Sequence, residues 1–532
     1  MKGEDWMDLS NTKLVLSLIN ERLQNKYQQY IYSLWLMLTT NDQRWVEQLE
    51  QDEKSYNDEI SSPNLIHLIR LLQKDRNMDL LSKRQISCLY NEMLELSLNP
   101  SLQHRYTKLW NEAHYVIATN KTEFKGKKLT EQQVLRTLET EQNNSQREEL
   151  WYQYMKVGDE LQSGLIELVN IRNKIAKEKG FENFYDLKLS SQGLDKIELN
   201  SIITGIRTNL DGEYSYIKKN IDKQLQDKFN IKQLYPWHYP HPFFQEVNLS
   251  YLEDPAITVK TVTSKLTNWF QEIGLDIKDI LKNSDISANE DKSAANFCLN
   301  IDRDKDVRIS AHYHQNQKSL SLLLHELGHA VYEYNVNMDL PFILKKSSEI
   351  FMSEASAIYF ERLVFKKSWY RNVISNEGTL SDKFIGQRDF VSHLLVKVYW
   401  TMTMTIFEQE LYRNPNQDLN RLWWDIVGEV QRIEKPIKWD IPVWAVKPHL
   451  TTLPAYYHNY LLGEIIASQI GNNMERKYRS SHSTEGIQYL KENIFWFGHS
   501  KSWRNILKSS FQDQLNPGYL IYDIKQLLEN EM

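Results

Sequence analysis

The segment LLLHELGHAVYEY, Leu322 to Tyr334, places two histidines and a glutamate inside an otherwise apolar, helix-forming stretch. Buried polar groups cost free energy unless a partner satisfies them. Because residues four apart share one helix face, His325 and His329 can direct both imidazoles at one ion. Glu326 lies about a hundred degrees further round the helix, within reach of a water at that ion. Gly328 costs about 1 kcal/mol of helix stability relative to alanine, which indicates that another segment packs closely there.

This H-E-x-x-H arrangement is typical of two zinc ligands and a general base. Five residues also match by chance, so a helix that merely carries them is the alternative. A catalytic zinc usually takes three protein ligands and keeps a fourth position for water. Two later glutamates could supply the third ligand, Glu354 in FMSEASAIYF and Glu349 in KSSEIFMS. Small neighbours favour Glu354, because they let its helix approach the first helix; Glu349 has a thermolysin-like spacing but lacks the asparagine that precedes that ligand.

The chain as a whole reads as a globular protein. Its 532 residues are 41% apolar and 25% charged, and its mean hydropathy is -0.58 without a long uncharged apolar run, which speaks against a membrane span. A net charge of -6 gives no reason to expect nucleic acid as a partner. The start MKGEDWMDLS lacks a signal-peptide pattern, and the cysteines Cys88 and Cys298 give no disulfide framework. We therefore expect a cytoplasmic protein. We also expect a monomer, with an oligomer left open.

Glycine (18) and proline (13) are scarce, and helical apolar spacing recurs through the chain, which predicts a mainly α fold with long helices to about residue 230. LYPWHYPHPFF, from Leu234, reads as an ordered surface loop or a crossing between lobes. Residues 281–295 read as an exposed loop. FCLNIDRDKDVRISAHYH, Phe297 to His314, predicts a β-hairpin beside the HELGH helix. An open edge of such a hairpin can pair with an extended peptide.

Several of these stretches together resemble the peptidases around angiotensin-converting enzyme and thimet oligopeptidase, above all their bacterial and archaeal members. The matching stretches are AANFCLNIDRDKDVRI, the HELGH helix, MSEASA, LVNIRNKIAKEKGFENFYDL, PWHYPHPFFQE and VWAVKPHLTTLPAYYHNYLLGEIIASQ. The resemblance implies a helical ellipsoid of two interleaved lobes, split by a deep channel that admits short unfolded oligopeptides. It implies one catalytic unit over 1–532, with a helical N-terminal region 1–160, a peptidase core 165–470 and a helical C-terminal region 471–532.

The resemblance also implies a role for each matching residue. His325, His329 and Glu354 would hold one zinc ion, as in gluzincin peptidases, and Glu326 would be the general base. Tyr460 would hydrogen-bond the oxyanion and His449 a neighbouring substrate carbonyl. Tyr457 and Lys447 would hold the free carboxylate of the substrate, and Ala311, on the predicted edge strand, would offer backbone hydrogen bonds to the peptide.

Other positions depart from the pattern of angiotensin-converting enzyme. A substrate-binding histidine is replaced near Ala295, and the chloride-binding arginine is Asn459, so we expect no chloride activation through that position. Ile358 stands where an aspartate supports a zinc histidine; Glu361 or a backbone carbonyl is the candidate replacement. The remaining histidines near these stretches have simpler interpretations: His238 and His241 as loop residues, His312 and His314 as hairpin surface, and His458 as a packed or exposed neighbour of the site.

The sequence therefore predicts a zinc metallopeptidase acting on short peptides. Lys447 and Tyr457 favour release of C-terminal dipeptides, with internal cleavage as the other possibility. The competing function is a peptide-binding protein on the same fold without useful turnover, against which the intact Glu326 argues. A purely structural zinc is disfavoured, because closed structural sites generally use four protein ligands, often cysteines.

Overall fold

The computed structural model describes residues 12–40, 42–75, 77–96, 100–247, 249, 251–289, 292–293, 295–375 and 383–529. Helices dominate its first half, as the apolar spacing predicts. In chain order the elements up to Phe229 are α1 (Thr12–Thr40), α2 (Gln43–Ile60), α3 (Pro63–Leu72), α4 (Leu80–Leu96), α5 (Pro100–Thr119), β1 (Thr122–Phe124), β2 (Lys127–Leu129), α6 (Glu131–Thr140), α7 (Asn144–Met155), α8 (Gly158–Glu178), α9 (Phe184–Ser191) and α10 (Lys196–Phe229).

The second half holds the three remaining strands and further helices. These elements are α11 (Val259–Glu272), α12 (Lys278–Lys282), β3 (Asp285–Ile286), β4 (Phe297–Asn300), β5 (Val307–Ala311), α13 (Gln317–Tyr334), α14 (Ile350–Glu361), α15 (Lys367–Trp369), α16 (Gln387–Arg413), α17 (Leu419–Val430), α18 (Pro448–Thr452), α19 (Tyr457–Tyr478), α20 (Thr484–Asn493), α21 (Trp503–Phe511) and α22 (Gly518–Glu529). The predicted mainly α fold is confirmed. The hairpin of β1 and β2 has no counterpart in the predicted elements.

The chain forms two compact units, and each is assembled from three separate segments. Unit 1 consists of Met1–Ser97, Tyr251–Ile385 and Gly463–Tyr519; unit 2 consists of Leu98–Ser250, Gly386–Leu462 and Leu520–Met532. The predicted regions 1–160, 165–470 and 471–532 stay a prediction.

Unit 1 has an apolar core formed by α1 to α4 and a short 3₁₀ turn, Phe342–Leu344, that packs into them. The buried side chain of Asn20 ties this core together. Its amide donates to Gln85 Oε1 at 2.9 Å, and its Oδ1 accepts from the backbone N–H of Ile343 at 2.9 Å. A buried amide is tolerated here because both of its ends have partners. The apolar residues of this core include Leu16, Leu23, Ile60, Ile69, Leu72 and Leu89.

In unit 2 the segment Pro236–Phe244 is largely buried, so its interpretation as a surface loop is wrong, and the alternative of a crossing between lobes stays a prediction. The guanidinium of Arg147 explains the burial of this backbone. It donates to the carbonyls of Trp237 at 2.7 Å and Tyr239 at 3.1 Å. A buried, proline-rich backbone has few internal hydrogen bonds, and a buried arginine with several donors can satisfy its carbonyls instead.

Helix α16 is long and apolar enough to span a membrane by length and composition, and it is the one such helix among the described residues. However, 78% of its most apolar stretch is buried inside the protein. The ring of Tyr399, on this helix, stacks on the ring of Tyr214 of α10, with ring centroids 3.6 Å apart. Both observations are those expected of a core helix.

The predicted β-hairpin is confirmed as antiparallel β4 and β5. However, the three-stranded sheet has the order β3-β5-β4, because Ile286 of β3 pairs with Ala311. β5 is therefore the central strand, and the prediction that Ala311 lies on an edge strand is wrong. The carbonyl of Ala311 also accepts a hydrogen bond from the buried ammonium of Lys292 at 3.0 Å. The stretch 281–295, read as a loop, holds β3, which is too short to show a two-residue period.

Helices α13 and α14 pack at very close range, as Gly328 and the small residues around Glu354 predict. A Cβ on Gly328 would lie 2.6 Å from Ala357 Cα and 2.7 Å from the carbonyl oxygen of Ser356. The Ser356 hydroxyl donates to the carbonyl of Gly328 at 2.8 Å. The pairing of these helices brings the HELGH side chains and Glu354 to one place.

We expect Gly328→Ala to destabilise the protein, since both obstructing atoms belong to backbone and cannot move cheaply. Overpacking costs about 1–3 kcal/mol, against a helix-propensity gain of about 1 kcal/mol. The matched control is Gly471→Ala in α19, where a Cβ would meet nothing within 4 Å. Thermal unfolding should show a lower Tm for Gly328→Ala and an equal or higher Tm for Gly471→Ala. Equal Tm values for the two variants would contradict the close contact.

Candidate metal centre

Three side chains of unit 1 form a possible metal site. His325 and His329 on α13 and Glu354 on α14 have ligand atoms that all lie within 4.8 Å of one another. Glu354 Oε2 is 3.7 Å from His325 Nε2 and 4.0 Å from His329 Nε2. Glu354 is buried and both histidines are half-buried. The structure thus brings the three predicted metal ligands together.

The donor set suits zinc. Tetrahedral zinc with bonds of about 2.0–2.1 Å places neighbouring ligand atoms about 3.3 Å apart, slightly less than the two distances from Glu354. Two imidazole nitrogens and one carboxylate leave a fourth position open, which distinguishes catalytic from structural zinc sites. The described residues contain no other cluster of histidine, cysteine and carboxylate ligands.

Both histidines are oriented by a second hydrogen bond at Nδ1. Glu361 Oε2 lies 2.9 Å from His325 Nδ1, and Ser353 Oγ lies 2.8 Å from His329 Nδ1. A hydrogen bond from Nδ1–H leaves the Nε2 lone pair for a metal. Glu361, one of the candidate partners, therefore takes the place left by Ile358. The serine partner was missed, because the sequence shows it only as a small residue beside Glu354.

We expect Glu361→Ala to weaken zinc binding about 10–100-fold, the usual loss when an outer partner of a zinc histidine is removed. Ser353→Ala should have a smaller effect, because a neutral hydroxyl stabilises the imidazole less than a carboxylate does. Competition with a chromophoric chelator measures both affinities. Glu361→Gln, which keeps a hydrogen-bonding oxygen, should fall between Glu361→Ala and the parent. Unchanged affinity in Glu361→Ala would contradict the orienting role.

The charges of the centre set the protonation of its groups. Burial alone would lower the pKa of His325, but the hydrogen bond and charge of Glu361 help raise it to about 9. Burial, followed by the charge of His325, holds the pKa of His329 well below its ordinary value. Metal ligands must be deprotonated, so zinc has to displace a proton from His325 and binding should release it.

Glu326 lies beside the ligands on α13 and is 7% exposed. Burial, the largest cause, and the charges of Glu354 and Glu361 raise its pKa to about 7, although the charge of His325 opposes them. A carboxylate poised near neutral pH suits a general base. Glu349 lies outside the ligand cluster: it precedes α14, with Oε1 3.5 Å from His499 Nε2.

Unit 2 brings together a second group of predicted site residues. The ring of His449 on α18 lies 4.7 Å from Tyr457 and 6.2 Å from Tyr460 by ring centroids, and the two tyrosines are 5.8 Å apart. Burial and then the charge of Lys447 lower the pKa of His449 to about 3. His449 is therefore a neutral imidazole, with one N–H to donate. We call His449, Tyr457 and Tyr460 the His–Tyr cluster.

Lys447 is 8% exposed and borders the same cluster. Its ammonium donates to Gln245 Oε1 at 2.9 Å and lies 5.2 Å from the centre of the Trp400 ring. That ring packs against Tyr457 at 5.8 Å. Burial lowers the pKa of Lys447 to about 8. The structure thus places Lys447 and Tyr457 around one tryptophan.

Residues that the sequence did not indicate hold the first turn of α19. Gln192 donates to Asn459 Oδ1 at 3.1 Å, and its own Oε1 is 2.6 Å from His458 Nε2. The other ring nitrogen of His458 is 3.2 Å from the Tyr185 hydroxyl. His458 is thus a packed histidine, and Asn459 is fully buried.

The remaining histidines make local contacts. His238 and His241 accept hydrogen bonds at Nδ1 from the backbone N–H groups of Tyr235 at 2.9 Å and Phe243 at 3.2 Å. His238 ends a 3₁₀ turn, Pro236–His238, and His241 lies in the non-helical stretch after it. His312 lies 2.8 Å from the carbonyl of Ser293 through Nε2, and His314 is exposed.

Two histidines, a carboxylate and an adjoining buried glutamate are the site of a zinc metallopeptidase. The model of the carboxypeptidase Taq (M32) metallopeptidase family matches residues 258–397, which include all four residues. No curated protein matches the chain. M32 metallopeptidases depend on zinc, so the predicted zinc cofactor is confirmed. The resemblance to angiotensin-converting enzyme and thimet oligopeptidase is supported only as far as a metallopeptidase, since M32 is a distinct family.

Proposed function

We propose that this protein is a zinc-dependent peptidase that trims short peptides from their carboxyl ends. The observation that carries the proposal is the convergence of His325, His329 and Glu354 with Glu326 on the same helix. The carboxyl-end preference is supported by the buried ammonium of Lys447 and by the carboxypeptidase name of the matched family. Product analysis decides whether each cleavage releases one residue or a dipeptide.

When bound, zinc polarises the peptide carbonyl and lowers the pKa of water toward about 7. In the proposed reaction Glu326 takes a proton from the attacking water and passes it to the leaving amine. Negative charge develops on the carbonyl oxygen. The resemblance assigns the Tyr460 hydroxyl as a donor to that oxygen and His449, a neutral imidazole, as a donor to an adjacent substrate carbonyl. Removing one oxyanion donor typically costs about 3 kcal/mol. The resemblance to the peptidases around angiotensin-converting enzyme and the packing of the two residues in one cluster support these two roles.

The test combines metal analysis with product analysis. The purified protein is incubated with a mixture of short peptides that carry free carboxyl ends, and the products are identified by mass spectrometry. We expect zinc in the protein, loss of cleavage on chelation, and recovery on returning zinc. Ladders that shorten by one residue indicate a carboxypeptidase, and ladders that shorten by two indicate a peptidyl-dipeptidase. Zinc binding without cleavage of any peptide would overturn the proposal and favour a peptide-binding protein.

A second test concerns Lys447. If its ammonium holds the substrate carboxylate, amidated peptides should have a much higher KM than the free acids. Lys447→Met should raise the KM of the free acids and remove this difference. Lys438→Met, at a lysine of unit 2 with a 67% exposed side chain, is the matched control and should change neither. Equal cleavage of acids and amides by the parent would exclude a carboxylate site at Lys447.

The same lysine predicts a pH effect on the KM for free-acid peptides. Because burial lowers the pKa of Lys447 to about 8, the ammonium is charged below that pH and neutral above it. The KM should therefore rise as the pH increases through about 8, and the KM for amides should not follow it.

A further inference from the structure

Two buried ionisable residues of unit 2, Arg172 and Glu408, bind the backbone that joins His449 to the tyrosines. Arg172 of α8 is 1% exposed. One terminal nitrogen donates to the carbonyl of Leu450 and the other to the carbonyl of Thr451, both at 2.7 Å. These carbonyls lie in the last turn of α18, where helical partners are missing and a positive charge is favourable. The guanidinium of Arg172 therefore fixes the carboxyl end of α18, the helix that carries His449.

The other end of the same segment is held by Glu408 of α16. Its Oε1 accepts a hydrogen bond from the backbone N–H of Ala455 at 2.6 Å, and the side chain is 1% exposed. Ala455 has a φ of +56°, a left-handed conformation that is unfavourable for a residue with a side chain. Such a conformation persists only where its surroundings hold it, and the carboxylate of Glu408 does so directly.

The position of Arg172 is itself fixed by two phenols. The hydroxyl of Tyr412 lies 3.2 Å from one terminal nitrogen, and the hydroxyl of Tyr106 lies 3.3 Å from the other. The neighbouring Asn173 donates to the carbonyl of Tyr412 at 2.8 Å, which ties α8 to the end of α16. Arg172 and Glu408 thus belong to one rigid frame of α8 and α16.

We propose that Arg172 and Glu408 are positioning residues that set the place of His449 relative to Tyr457 and Tyr460. The inference rests on the proposed function, since it assigns these two residues to the same reaction without substrate contact. Helix α18 has only five residues, and a helix so short is not stable by itself. Its orientation must come from outside, and Arg172 and Glu408 bracket the segment from Leu450 to Ala455. Burying both polar side chains is costly unless their hydrogen bonds are retained.

The experiment compares three variants on α16 by steady-state kinetics with a free-acid peptide. Glu408→Leu removes the acceptor for Ala455, whereas Glu408→Gln keeps an acceptor oxygen but cannot ionise. Glu410→Leu is the matched control, because Glu410 lies on the same helix and pairs with Arg413. A misplacement of about 1 Å can cost about 10²-fold in rate. We expect a kcat loss of that order with little change in KM for Glu408→Leu, and kcat values close to the parent for the other two.

Arg172→Lys provides a variant with its charge intact, because a single ammonium cannot replace the planar fork on two successive carbonyls. It should lose kcat as Glu408→Leu does. If Glu408→Leu fails to fold, the kcat of Arg172→Lys decides whether the positioning role holds. A parent-like kcat in Arg172→Lys, or equal losses in Glu408→Gln and Glu408→Leu, would overturn the proposal. A loss of thermal stability with unchanged kcat per folded molecule would also overturn it, because that result indicates a structural role only.

Amide hydrogen exchange gives a readout that does not require peptidase activity. Peptides covering 448–462 should exchange faster in Glu408→Leu and Arg172→Lys than in the parent, Glu408→Gln and Glu410→Leu. If the parent cleaves no peptide but exchange follows this order, the proposed function fails while the bracketing of the segment stands. If the parent cleaves and exchange is the same in all variants, the proposed function stands and the positioning role fails.

Discussion

Glu326→Gln should leave zinc bound and nearly abolish peptide cleavage. The substitution keeps the size of the buried side chain but removes the group that accepts a proton, so the first proton transfer loses its base. General bases typically contribute about 10²–10⁴-fold to the rate, and we expect kcat to decrease by a factor within that range. The side chain is not among the three clustered ligands, so zinc per chain should equal that of the parent. Metal analysis and single-substrate kinetics on the same preparation test both statements.

The control for Glu326→Gln is Glu333→Gln. Glu333 lies seven residues further along α13, close to the same helix face, and accepts hydrogen bonds from Asn300 and from the backbone N–H of Ser347. A glutamine there keeps an acceptor, so the activity should be retained. A fully active Glu326→Gln would remove the general base from the proposed reaction. Loss of zinc in the same variant would instead place Glu326 among the ligands.

Glu354→Gln should produce a protein that retains little zinc. An amide oxygen is a much weaker zinc ligand than a carboxylate, and the two histidines alone leave an incomplete site. The loss of affinity should exceed the roughly 10–100-fold effect of removing an outer hydrogen-bond partner. Glu349→Gln is the matched control, since Glu349 was the alternative third ligand and lies beside His499 instead. Zinc titrations of the two variants should differ sharply, and activity should follow zinc content.

The opposite result is equally clear. If Glu349→Gln loses zinc and Glu354→Gln retains it, then Glu349 is the third ligand and α14 has a different orientation in the zinc-bound protein. If both variants retain zinc, a ligand outside the cluster of three completes the site.

The metal centre was largely predictable because its signals are local. The i, i+4 histidines need only a helix, and Gly328 with the small residues near Glu354 predicts the close helix pair that the structure has. The hairpin of β4 and β5 shows partial alternation on either side of an aspartate-rich turn. In each of these cases one short stretch of sequence determines the structure.

The rest of the polar framework could not be predicted, because a buried charge on a helix looks like a surface charge in sequence. Arg172 and Glu408 occur in ordinary helical stretches, and only the fold shows that backbone carbonyls and an N–H group bind them. No sequence pattern indicates Ser353 or Gln192 as hydrogen-bond partners. The order of the sheet was missed for a different reason: a strand as short as β3 has no measurable period, so the central position of β5 depends on a pairing that only the folded chain reveals.

The assembly of each unit from three separate segments has a consequence for synthesis. The helix pair that bears the ligands packs against Gly463, whose Cβ position would be 2.8 Å from Glu354 Cβ, and unit 1 is completed only by the segment ending at Tyr519. A ribosome therefore has to release the chain through this last segment before the surroundings of the metal centre can close. Until then, nascent chains would have apolar helix faces exposed, the state that chaperones bind. Truncations within the segment Gly463–Tyr519 should accordingly damage a metal centre that lies far upstream in the sequence.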